Sequence, residues 1–246
     1  MEIMKIQSTE IINIGEVSRH GVLRLDALFN IFQEKAILHT HRAGFGIKDL
    51  FEAHKTWILN RVAVEISTLP QLEDEIEVHT WSRKIYRFKG VREFEIFSDE
   101  ESIVKASSLW VYFDAGKGRP VRVPDYFEDK FGTVPDQAIA DDIETIRFAE
   151  ITGPDFSLSI ATRPSDWDIN GHANNAAILQ YIETGIVHFV SDKVAITSIQ
   201  LVFQKEIPFH ITQVTVLLER TDTGCLFEVQ GEGAVFVRGT AGYQTG

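Results

Sequence analysis

The sequence predicts an α+β protein made of two tandem halves, each a long central helix wrapped by an antiparallel β-sheet. Three observations carry that expectation. Each half holds one long helical pattern, each helix is followed by strand-like runs, and the same order of elements recurs along the 246 residues.

Residues 24–42 repeat apolar side chains at three- and four-residue steps: Leu25, Leu28, Phe29, Phe32, Ala36 and Ile37. That spacing places them on one face of a helix. Gly44 and Gly46 end the run. From Thr56 to Tyr112 the rhythm shortens to period two. WILNRVAVEI, DEIEVHTW, KGVREFEIF and VKASSLWVYF alternate or are rich in Val, Ile, Phe and Trp, as antiparallel strands do. Residues 114–153 break the pattern with Pro120, Pro124 and Pro135 and a cluster of acids, and read as a connection with a short helix. The second half opens with the strand-like DFSLSIAT. A helix follows at 173–189, then strands at ITSIQLVFQKEI, TQVTVLLER, GCLFEVQGEG and AVFVRGTAGY.

The duplication is expected to register at two offsets. Phe32-Gln33-Glu34 matches Tyr181-Ile182-Glu183 at 149, and Leu69-Pro70 with Ile76 matches Ile207-Pro208 with Val214 at 138. The boundaries predicted are a first domain over 1–124, a linker over 125–153 and a second domain over 154–246.

Composition narrows the function classes. Apolar residues make up 44% and charged residues 24%, as in ordinary globular proteins. With 24 basic and 36 acidic residues the formal charge is −12, which speaks against a nucleic-acid partner. The single cysteine, Cys225, permits no internal disulfide and no zinc cluster. The N-terminus lacks the basic start and apolar core of a signal peptide, and no stretch is long and apolar enough to span a membrane. These features predict a mature, soluble, cytoplasmic protein.

The densest polar cluster runs from Arg163 to Asn175. Asp166, Asp168, Asn170 and His172 stand at alternate positions, so an extended backbone would aim all four the same way, just before a helix start. Free N–H groups and partial positive charge at that start favour a developing anion. The corresponding stretch of the first half, Arg19 to Leu23, carries no such set. Asp166-x-Asp168-x-Asn170-Gly171 also matches the opening of a calcium loop. Its twelfth position is Ala177 where a bidentate Glu belongs, so no metal is expected. A plain turn and helix cap would use Asp166 or Asn170 but has no need of His172.

D-x-N-x-H-x-N-N followed by a helix containing Tyr-x-Glu resembles the acyl-acyl-carrier-protein thioesterases, which are double hot-dog proteins. LFNIFQEKAILHTHRAG, TWILNRVAVEI, IEVHTW and KASSLWVYFD look like the N-terminal half of that family, so the resemblance covers nearly the whole chain. It implies a tandem double hot-dog with the acyl-chain pocket in the first domain and the catalytic motif in the second. It implies hydrolysis of fatty acyl-acyl carrier protein, no cofactor, and a catalytic set of Asp168, Asn170, His172 and Glu206. It also points to substrate contacts from Asn174 and Asn175 in the same motif. Plant members commonly carry a cysteine right after that Glu; here it is Ile207. Cys225, in an apolar run, reads as a packing thiol.

The chemistry agrees with those residue types. A thioester expels a thiol of pKa about 8.5, so the leaving group needs little acid help. What the reaction needs is a base for water and donors for the oxyanion. Glu206 and His172 can share the first role, and Asn170 with a backbone N–H near Gly171 the second. Asp168 either orients its neighbours or attacks directly. Arg83, Lys84, Arg87, Lys89 and Arg92 form a basic run in an acidic chain and are expected to dock an acidic carrier protein. Alternatives are an acyl-coenzyme A thioesterase and a non-catalytic lipid-binding protein on the same fold. A monomer and a homodimer are both compatible with the sequence.

Overall fold

The computed structural model describes residues 5–169 and 171–245. It divides into two compact units. The first takes the chain up to Leu23 and Asn30–Thr145; the second takes Arg24–Phe29 and the chain from Ile146 onward.

In the first unit β1 (Ile6–Ile11), β2 (Lys55–Ile66), β3 (Glu75–Tyr86), β4 (Lys89–Ser98) and β5 (Glu101–Asp114) form an antiparallel array in the order β1-β3-β4-β5-β2, with β6 (Arg119–Pro120) on β5. β1 was not anticipated: in IQSTEI only Ile6 is buried, so the strand carries almost no apolar signal of its own. Helix α1 (Leu25–Arg42) packs Phe32 on Phe94 of β4, ring centroids 4.6 Å apart. Leu25, Leu28, Phe29, Phe32 and Ala36 are buried as their spacing predicts, but Ile37 is 45% exposed. Each helical residue turns about 100°, and Ile37 falls one such step beyond Ala36 and off the stripe.

Helices α2 (Ile47–Glu52) and α3 (Tyr126–Phe131) complete this unit. The stretch from α3 to Thr145, expected as connection, is instead packed. Val134 N–H donates to the Ser82 carbonyl at 2.9 Å and Trp81 Nε1–H to the Asp136 carbonyl at 2.8 Å. Phe127, Phe131, Ile139 and Ile143 are buried. Their burial is what holds the segment down, and the surrounding acids and prolines mask them in the sequence.

The second unit repeats the plan with β7 (Phe156–Ala161), α4 (Asn175–Phe189), β8 (Ala195–Phe203), β9 (Gln213–Thr221), β10 (Gly224–Gly231) and β11 (Ala234–Gln244). Its antiparallel order is β8-β11-β10-β9-β7. Helix α4 buries Ile178, Leu179, Ile182 and Ile186 against this sheet. Gly185 brings it close: a Cβ there would stand 2.8 Å from Val216 Cγ1. No helix among the described residues is long and apolar enough to cross a membrane.

The duplication registers one residue from the expected helix offset. Bridges Val17↔Leu23 and Trp167↔Ala173 correspond at 150, as do the starts of α1 and α4. Tyr181 therefore stands where the first unit has Ile31, and Glu183 where it has Gln33. The strand offset of 138 relates the starts of β3 and β9, Glu75 and Gln213. In the turns before them the offset is 137, since Leu23 N–H donates to Pro70 and Ala173 N–H to Ile207.

Candidate functional site

The candidate site is a short loop in the second unit. A turn at Pro164–Asp166 leads into residues 167–173, and Asn174 then caps α4 by accepting the Ala176 N–H at 2.9 Å. The loop closes on itself. Asp168 N–H donates to the His172 carbonyl at 2.9 Å, Gly171 N–H to the Asp168 carbonyl at 3.1 Å, and Trp167 bridges Ala173. Gly171 has φ +78°, a conformation that glycine adopts without strain. Ala173 N–H donates to the Ile207 carbonyl at 3.0 Å and His172 bridges Pro208, which fastens the loop to the segment between β8 and β9.

That fastening brings two residues together that lie 34 positions apart in sequence. His172 Nε2 stands 3.1 Å from Glu206 Oε2, both partly open to solvent. Glu206 lies in the loop after β8, not on a strand. Asp168 Oδ1 accepts the His172 N–H at 3.2 Å. Asn170 lies outside the described residues. Asn174 spends its side-chain oxygen on the helix cap, and Asn175 is the first residue of α4.

Asp166 departs from the arrangement of alternate side chains on one side. It is buried, its carboxylate held by Arg163 N–H at 2.7 Å, by the Arg163 guanidinium at 3.0 Å and by the Tyr181 hydroxyl. A buried carboxylate needs such partners, and the 3-10 turn directs it inward to find them. It is thereby removed from any calcium set, and no cluster of metal-ligating side chains occurs among the described residues.

Cys225 is 1% exposed on β10, and burial pushes its thiol up to about 11. A thiol held protonated in the core is no nucleophile. His39 is also buried, its Nδ1 2.9 Å from Arg92 Nη1, while His41 faces solvent. Burial lowers the Arg92 guanidinium to about 9.

The basic run is divided by the fold. Arg92 points into the first unit, and Arg83 reaches buried Glu93 at 3.0 Å. Lys84, Lys89 and the Tyr86 hydroxyl converge on Glu144. Burial by itself would raise the Glu144 carboxyl, but those three donors outweigh it and hold it at about 2. Arg87, on the β3–β4 turn, is exposed. Alternation explains Arg92, which opposes Ser82 while Lys84 opposes the next residue, Val91; Arg83 sits in the bulge between Ser82 and Lys84 and is drawn in by Glu93.

Tyr181 and Glu183 entered the sequence reading as the Tyr-x-Glu of the resemblance and as a match to the first half, with no role given to either. Tyr181 is buried against Asp166. Glu183 accepts the Leu25 N–H at 3.2 Å, at the start of α1, and its carboxyl is raised to about 7 by burial, with the charge of Asp26 adding to the effect.

Comparison with known proteins concerns the chain as a whole. The family models described as the acyl-ACP thioesterase N-terminal and C-terminal domains match residues 4–131 and 150–244. A palmitoyl-acyl carrier protein thioesterase of Cuphea hookeriana is 25% identical over 78% of this chain and 49% of its own length. An oleoyl-acyl carrier protein thioesterase of Arabidopsis thaliana is 25% identical over 80% of this chain and 58% of its own length. Both are named as chloroplastic, and the chain spans about half the length of the curated relatives it matches. Among solved structures, a 12:0-ACP thioesterase from Umbellularia californica superposes with a TM-score of 0.85 at 19% identity, covering 98% of this chain and 97% of that one. An acyl-ACP thioesterase from Bacteroides thetaiotaomicron gives 0.78 at 22% identity, covering 98% of each. The fold is the double hot-dog, and with both domain models matched along its length, the chain belongs to the acyl-ACP thioesterase family.

Proposed function

We propose that the protein hydrolyses the thioester of fatty acyl-acyl carrier protein, releasing free fatty acid. The observation that carries this reading is the His172–Glu206 contact of 3.1 Å beside the start of α4. A carboxylate against an imidazole forms a base able to take a proton from water as that water attacks the acyl carbon. The carbonyl π bond opens to an oxyanion, which then reforms the carbonyl and expels the carrier's thiolate. Asp168 already accepts the main-chain N–H of His172, which supports a role in holding the loop over direct attack.

The oxyanion donors are constrained by the loop. The N–H groups of Gly171, His172, Ala173 and Asn174 are each taken within the fold. Stabilisation of the oxyanion therefore falls to Asn170 and the first turn of α4, not to the backbone near Gly171.

Docking of the acidic carrier is assigned to Lys84, Arg87 and Lys89, because Arg83 and Arg92 turn inward. Replacing these three with alanine is expected to raise KM for acyl-carrier-protein several-fold and flatten its salt dependence, with acyl-coenzyme A unaffected. A cytoplasmic setting is in keeping with one buried, unpaired cysteine.

The test is fatty acid release from carrier-protein and coenzyme A substrates of graded chain length. His172→Ala and Glu206→Gln are assayed alongside. Turnover that prefers the carrier protein and collapses in both variants is the expected result. Preference for coenzyme A would redirect the substrate, and no turnover by the folded protein would leave the lipid-binding alternative.

A further inference from the structure

We propose that Asp166 and Tyr181 are positioning residues for hydrolysis: a buried carboxylate–phenol pair that fixes the loop bearing His172 against α4. The inference rests on the thioesterase reading above, and no catalytic part is assigned to either side chain.

The geometry supports a clamp. Tyr181 and Asp166 are 1% and 2% exposed, and the hydroxyl donates to Asp166 Oδ2. Arg163 holds the same carboxylate from the other side and extends its guanidinium to Gln180 on α4. The main chain of Asp166 accepts the Asn174 N–H at 2.7 Å. One residue thus ties the entry of the loop to its exit and, through its side chain, both to the helix. A hydrogen bond to a charged acceptor in a low-dielectric interior is among the stronger and more directional contacts available.

The first unit supplies the control. Its loop closes with the same bonds: Ser18 N–H to the Val22 carbonyl at 2.7 Å, Gly21 N–H to the Ser18 carbonyl at 2.9 Å, and Gly21 at φ +75°. Glu16 takes the place of Asp166 and Ile31 that of Tyr181, and isoleucine has no donor. The backbone figure therefore forms without the phenol–carboxylate bond. The bond is found in the loop that carries His172, where a misplacement of about 1 Å can cost on the order of 100-fold in rate.

The experiment compares the full chain with Tyr181→Phe, which keeps the ring and deletes the donor. Three quantities are read: kcat and KM on acyl-carrier-protein, the melting temperature, and the ring resonances of His172 assigned by loss in His172→Ala. The expected result is a fall in kcat of at least about tenfold with KM within about twofold, a melting point within a few degrees, and displaced His172 resonances. Wild-type kcat with unmoved resonances overturns the proposal, as does a rate loss that merely tracks the unfolded fraction. If Tyr181→Phe does not fold, Arg163→Gln loosens the same carboxylate from its solvent-exposed side and is held to the same criteria. Should the wild type hydrolyse nothing, the thioesterase reading fails by itself, and the resonances still decide whether the pair positions His172.

Discussion

Residues 17–23 and 167–173 close in the same way and carry different side chains. Both close through one bridge and two backbone hydrogen bonds, a further bond ties each to a neighbouring segment, and both turn at a glycine with positive φ. Ser18 stands for Asp168, Val22 for His172 and Leu69 for Glu206. The fold needs the loop, since it delivers the chain from the edge strand to the helix. It does not need the imidazole or the carboxylates. What distinguishes the two loops is therefore a handful of side chains and the contacts that hold them.

The largest effect should come from making the second loop like the first. His172→Val introduces the residue that the same backbone already accepts at Val22. Turnover is expected to fall about 100- to 10,000-fold, with the melting point nearly unchanged, measured by single-turnover fatty acid release and a thermal scan. A variant that retained a tenth of the activity would show that His172 is not the base partner.

Next is the pair Glu183 and Gln33. Glu183 is raised to about 7 against an unfolded value of 4.5. Between those values the folded state binds more protons than the unfolded one, so stability falls as pH rises through that window. Glu183→Gln, which copies the first unit, should raise the melting point at pH 8. The gain, on the order of 2 kcal/mol and thus several degrees, should vanish near pH 4. Equal melting points at pH 8 would mean that Glu183 is not the burdened group. Arg24 and Asp26, the charged neighbours at the start of α1, stay in place in both proteins.

The helices differ again at Gly185 and Lys35. Lys35 pairs with Glu10 on β1, while Gly185 lets α4 settle on Val216. Gly185→Ala gains about 1 kcal/mol of helix propensity but pushes a methyl against the sheet, where overpacking costs about 1–3 kcal/mol. A net loss of a few degrees is expected by calorimetry; a net gain would show that α4 can lift off the sheet at no cost. The smallest effect belongs to Glu10→Gln. Lys35 is buried, but the Glu10 carboxylate is partly exposed, and a glutamine there still offers Lys35 an oxygen acceptor, so a loss of about 1 kcal/mol is expected. A loss above about 2 kcal/mol in chemical denaturation would show that the buried Lys35 depends on the charge of this partner.

Most of the fold was legible because its signals are local. The stripe of α1, the alternation in β2 to β5 and the motif before α4 each lie within a dozen or so neighbouring residues. The candidate site was read from signals of the same kind: Asp168 and His172 share one short loop, and the resemblance pointed to Glu206, which stands 3.1 Å from His172. What escaped was whatever depended on a distant partner. β1 is a strand because β3 accepts it, and the acidic stretch after α3 packs because Ile139 and Ile143 find a core. Asp166 read as a member of the site because alternate residues share a side in an extended chain; the 3-10 turn broke that assumption. Arg83 and Arg92 read as surface because charge usually is, yet Glu93 and His39 draw them inward.

The sequence by itself determined most of the element order, the duplication, the polar loop before α4 and the absence of any internal disulfide, because periodicity, turn residues and composition act over short stretches of chain. The tertiary structure alone decided the 3.1 Å meeting of His172 with Glu206, the burial of Asp166 against Tyr181, and the raised carboxyl of Glu183. Each of those depends on which groups are brought within hydrogen-bond reach and shut away from water, and only the packed chain fixes both.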